Sequence, residues 1–156
     1  MYFIIGLGNE LRSDDGIGIW LVKRLREIFK NNSIIKFYTL PQLYPELIEE
    51  VKDAEWIFII DASIEVKNEW KIKKIKDYNL KANFNLHDIT PDVFAGMIYS
   101  FYNKKPEIEI LHIKGYDFSY STSFSEELQK RKKYLLNIIE KIIHSKISKV
   151  PNQKIK

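Results

Sequence analysis

Two adjacent carboxylates, Asp14 and Asp15, sit in a glycine-rich turn, Gly6-Leu7-Gly8-Asn9-Glu10-Leu11-Arg12-Ser13-Asp14-Asp15-Gly16-Ile17-Gly18, directly after the apolar run Tyr2 to Ile5. Glycines give such a turn backbone freedom and close approach. Ser13 or Asp14 suits a helix cap, which leaves Asp15 at the helix mouth, pointing toward a crevice. Two further residues hold comparable positions: Asp61 directly ends the apolar run Trp56 to Ile60, and His87 precedes a helix start at Thr90-Pro91-Asp92. Two carboxylates and one imidazole form a borderline-hard donor set that would hold a divalent transition metal such as Ni²⁺ or Zn²⁺ and leave coordination positions for a substrate. Each residue also has an ordinary reading when taken singly. Asp15 opposes the positive end of a helix, Asp61 caps the next turn through Ala62-Ser63, and the stretch after His87 is helix-start chemistry.

The elements that must position these residues alternate between strand and helix. Gly16 to Lys30 places Ile17, Trp20, Leu21, Leu25 and Ile28 at helical spacing. Ile34 to Leu40 reads as a strand, Pro45 to Lys52 as a short helix, and Trp56 to Ile60 as a strand covered on both faces. Glu69 to Lys76 has the broken alternation of an exposed edge strand. Pro91 to Tyr102 follows as a helix and Glu107 to Ile113 as a strand. Ser123 to His144 is a long last helix, opened by the capping-box pattern Ser123-Phe124-Ser125-Glu126 and turning Leu128, Leu135, Ile138 and Ile142 inward. The pattern predicts an α/β fold: a three-layer αβα sandwich around a twisted, mostly parallel sheet of about five strands, one edge strand being free to run antiparallel. In such a sheet ligands bind at the carboxyl ends of the strands, where Asp15, Asp61 and His87 would all fall. His112 lies within a strand pattern and reads as a satisfied core or edge residue, and His144 suits a helix C-terminus.

With 156 residues, 45% of them hydrophobic and 29% charged, the chain fits one domain, taken as residues 1–145, followed by a basic tail at 146–156. It has no cysteine, so no thiolate site or disulfide frame is available, which suits a reducing compartment. No export signal or membrane-length apolar run is visible, and the expectation is a cytoplasmic protein. The net charge of +4 is spread along the chain without the focused basic face of a nucleic-acid binder.

The ordered set Gly6-x-Gly8-Asn9-x-Leu11-x-x-Asp14-Asp15-Gly16-x-Gly18, Ile57 to Ser63 and His87-Asp88-Ile89-Thr90-Pro91-Asp92 resembles the hydrogenase maturation endopeptidases, in order from Met1 to about Ile143. The segment Leu40 to Leu47 is similar to a variant of the same family. The resemblance implies a protease that removes a short C-terminal peptide from the precursor of a nickel-iron hydrogenase large subunit after nickel insertion. It also implies that Asp15, Asp61 and His87 are the metal-binding and catalytic residues, and it matches Asn9 and Asp14 to supporting positions. The metal would be nickel presented by the substrate, with zinc or cadmium able to occupy the site in isolation. The chain departs from the family's pattern at Gln42 to Tyr44, where a glycine is missing, and at Lys114 to Ser121, which lacks a proline.

Other readings make distinct demands. A dinucleotide-binding module needs a third glycine where Leu11 stands and an acid ending the second strand, which finishes in Thr39-Leu40. A peptidyl-tRNA hydrolase shares the Gly-Leu-Gly-Asn opening but places a catalytic histidine soon after it, whereas the first histidine here is His87. A non-catalytic, nickel-dependent checkpoint protein would carry the same three residues as the protease.

Overall fold

The computed structural model describes residues 1–149. Strands β1 (Tyr2–Leu7), β2 (Ile35–Leu40), β3 (Trp56–Ser63), β4 (Trp70–Lys74) and β5 (Glu107–Lys114) form one sheet in the order β2-β1-β3-β5-β4. All neighbours are parallel except β4, which runs antiparallel to β5 at one edge. Helices α1 (Ile17–Ile28) and α4 (Glu126–Ser148) cover one face, and α2 (Leu47–Val51) and α3 (Pro91–Tyr102) cover the other. The three-layer α/β expectation and its antiparallel edge strand are therefore met.

Alternation along the strands sorts the core. Ile57, Ile59, Ile108 and Ile110 join the layer under α2 and α3, while Trp56, Phe58, Ile60, Leu111 and Ile113 join the layer under α1 and α4. The chain leaves β1 through α1 to reach β2, then returns past β1 through α2 to reach β3. This reversal opens a crevice between the carboxyl ends of β1 and β3. Gly18 closes α1 onto that edge, since a Cβ there would collide with the carbonyl oxygens of Ile60 and Leu7.

Several expected boundaries move, each for a tertiary reason. The last helix is capped by Ser125, not Ser123: Ser125 Oγ accepts from Leu128 N–H at 3.2 Å while donating to Asp14 Oδ2 at 2.7 Å, so a distant carboxylate selects the cap. Its buried stripe is Leu128, Leu135, Ile139 and Ile143, with Ile138 and Ile142 half-buried, and Ile28 of α1 is exposed. The helix also runs to Ser148, past the boundary placed at residue 145. Lys146 pairs with Glu107 at 2.7 Å, which holds the start of the expected tail on the sheet. Residues 150–156 of that tail lie outside the described residues. Finally, β3 continues through Ser63, so Asp61 sits within the strand. At α3 the sequence expectation is met: Thr90 caps through Val93 N–H, with Pro91 in the first turn.

Candidate active site at the carboxyl edge

The turn after β1 is built around a buried carboxylate. Asp14 is 0% exposed and accepts from Tyr116 N–H at 2.7 Å, Asp117 N–H at 3.2 Å, Ser125 N–H at 2.7 Å and the Ser125 hydroxyl. A buried charge is tolerable only with such a set of donors. Their effect is to bolt the β5–α4 connection onto the short 3₁₀ turn Ser13–Gly16. Ser13, at φ 50°, donates through its hydroxyl to Ser123 O at 2.9 Å, adding a second tie to the same connection. Neither Ser13 nor Asp14 caps α1, whose start has no side-chain cap, so the expected capping role is replaced by this long-range one.

Asp15 is thereby aimed at the crevice. Its Oδ2 accepts from Asn9 N–H at 2.8 Å, and Asn9 Oδ1 accepts from Leu11 N–H at 2.9 Å, so Asn9 organises the loop and orients the carboxylate. Gly8, at φ 138°, permits this: a Cβ there would strike the Asp15 carbonyl oxygen. Asp15 lines an open cleft of about 460 Å³ together with Arg12, Ala62, Ser63, Glu65 and Phe118. Asp61, just before that wall, is half-buried, and burial together with the Asp15 charge pushes its carboxyl up to about 6. The structure thus brings Asp15 and Asp61 into electrostatic contact across β1 and β3.

His87 is placed differently. It is exposed in the long connection 75–90, where its N–H meets Asn85 Oδ1 at 2.9 Å. Among the described residues, no three histidine, aspartate or glutamate side chains are grouped so as to hold a metal ion. The charge of Asp15 acts on Asp61, and His87 is not grouped with them.

No protein-family model matches the chain. A Methanocaldococcus jannaschii protein assigned to hydrogenase maturation proteolysis is 30% identical over 150 residues, covering 90% of this chain and 86% of its own. This chain belongs to the hydrogenase maturation proteases. The fold agrees. Escherichia coli hydrogenase maturating endopeptidase HybD superposes with a TM-score of 0.68 at 15% identity over 93% of each chain. The NiFe hydrogenase maturation protease HycI of Thermococcus kodakarensis superposes at 0.67 with 17% identity over 92% of each. The maturation protease is accordingly a peptide hydrolase, and the dinucleotide-binding and peptidyl-tRNA hydrolase readings fall away. Among the described residues, no helix is long and apolar enough to cross a membrane.

His112, read from the sequence as a satisfied core or edge residue, lies beside this site. In the maturation protease it is half-buried on β5, and its partners across the sheet are Asp61 on β3 and Lys71 on β4. Burial, with Lys73 and Lys71 nearby, lowers its pKa. The signal was present in the spacing Ile108, Ile110, His112, which puts the imidazole on the α2/α3 face where that layer reaches the carboxyl edge.

Proposed function

We propose that this maturation protease removes a C-terminal peptide from the nickel-loaded precursor of a nickel-iron hydrogenase large subunit, in the cytoplasm, with Asp15, Asp61 and His87 as the residues that read the inserted nickel. The observation carrying this reading is the pairing of Asp15 with Asp61 beside an open cleft at the switch point of the sheet. Two carboxylates held close are complementary to a divalent cation, whose charge relieves their repulsion. In this reading the cation arrives as part of the substrate, held by the precursor's own ligands, and zinc or cadmium could fill the same donors in the isolated protein.

His87 would join when the docked precursor orders the 75–90 connection, whose exposed imidazole is free to meet a partner. Asn9 holds Asp15 in its orientation and Asp14 holds the turn that carries both. A protease that binds through the metal discriminates against an empty precursor, because that precursor lacks the anchoring contact. Anchoring also fixes the scissile peptide near the carboxylates, where a carboxylate or the substrate's metal can activate water. The test is to incubate the protein with large-subunit precursor, with and without inserted nickel, and to weigh the products by mass spectrometry. Loss of a C-terminal peptide from the nickel-loaded sample alone, abolished by Asp61→Ala and by His87→Ala, is expected. Binding without a change in mass would replace the protease with a non-catalytic checkpoint, and cleavage of both precursors would remove the nickel-reading role.

A further inference from the structure

A second hollow adjoins the carboxylate cleft and is not used by the reading above. It measures about 680 Å³ and shares Ser63 and Glu65 with the cleft that Asp15 lines. Its character is opposite. Lys67, Lys71, Lys73 and His112 line it, with Glu65 as the one acid in its wall and Trp70 as its aromatic side. Lys73 is tied to Asp92 at 3.0 Å, whereas Lys67 and Lys71 form no ion pair among the described residues.

The sheet register explains how this hollow connects to the site. Asp61 on β3 is level with His112 on β5, which is level with Lys71 on β4. Register partners share a face of a sheet. A single row across three strands therefore runs from carboxylate through imidazole to ammonium. Neighbouring strands lie about 4.8 Å apart, so Asp61 and Lys71 are separated by roughly 10 Å of backbone, the span of about three extended peptide residues. A peptide lying along the row meets negative charge at one end and positive charge at the other, which fixes its direction.

We infer that the Lys67/Lys71 hollow is the subsite for the carboxyl side of the scissile peptide, taking a carboxylate group a few residues beyond the cut, with His112 positioned between the two charged ends. This rests on the proposed cleavage of a C-terminal extension. The carboxylate is either an acidic side chain or the chain terminus itself.

The experiment compares the wild type, the double variant Lys67→Glu/Lys71→Glu, and Lys141→Glu, an exposed lysine of α4 beneath the other face. Each is given nickel-loaded precursor, with circular dichroism checking the fold. The double variant is expected to raise KM at least tenfold, the loss falling on KM rather than kcat, while Lys141→Glu behaves as wild type. Neutralising the acids of the precursor's extension to Asn and Gln, or moving its terminus by added glycines, identifies the source. The informative change raises KM for the wild type and has no further effect in the double variant. Unchanged KM in the double variant, or no effect of either precursor change, overturns the subsite. A wild type that cleaves no precursor overturns the proposed function and the subsite with it; one that cleaves normally beside an equally competent double variant overturns the subsite alone.

Discussion

The turn at residues 9–16 and the connection at 75–90 were both expected to deliver a functional side chain to the carboxyl edge, and they are built in opposite ways. The first is braced from a distance: Asp14 gathers donors from Tyr116, Asp117 and Ser125, and Asp15 is oriented by Asn9. The second is held near His87 by local contacts, with His87 N–H on Asn85 Oδ1 and Asp88 N–H on Asn85 O. Hydrogen bonds between distant segments open only when the joined segments separate, whereas those within an exposed loop open locally. One half of the proposed site is therefore part of the scaffold, and the other is available to respond to a partner.

The sharpest way to break this contrast is Asp14→Ala. It leaves three backbone N–H groups without their acceptor, and we expect a loss of about 4 kcal/mol in denaturant unfolding, with detachment of the 115–125 connection in hydrogen exchange. A smaller loss would mean that water replaces the carboxylate and that the brace is not buried as described. Asp61 has a different sign. Its folded pKa of about 6 lies above the ordinary 3.8, so the folded state binds the extra proton. The contribution of Asp61 alone favours the fold most below about pH 4, and up to about 3 kcal/mol of it is lost as pH rises through 6. Asp61→Asn should remove that slope, so the stability difference between variant and wild type should grow from pH 4 to 7; a flat difference would place Asp61 in water.

Asp15→Ala should cost only about 1 kcal/mol, because the exposed Asn9 N–H it frees can turn to water, while abolishing processing. Least of all, His87→Ala should shift the unfolding midpoint by less than the equivalent of about 0.5 kcal/mol, as for an exposed loop residue. A large destabilisation there would reveal a structural role and end the comparison.

Much of the fold was legible because it depends on local periodicity. The buried run Trp56 to Ile60 announced a central strand, and Thr90-Pro91 announced the start of α3. What failed was whatever depended on a partner far along the chain. Ser123 looked like a better cap than Ser125 until Asp14, more than a hundred residues earlier, selected the latter. Asp14 itself read as a helix cap, because nothing in its neighbourhood shows the three N–H groups waiting for it. For the site, Asp15 in the turn after β1 and Asp61 after the apolar run of β3 could be picked out as candidates, but the action of one charge on the other could not.

The amino-acid sequence alone determined the alternation of strands and helices, the edge at which polar residues collect, and the candidates Asp15, Asp61 and His87, since hydrophobic period and turn chemistry act between near neighbours. Tertiary structure alone decided that the Asp15 charge acts on Asp61, that His87 stands apart, and that His112 and Lys71 fall level with Asp61. Those relations arise from strand order and register, which are set by the packing of the two core layers against the whole sheet.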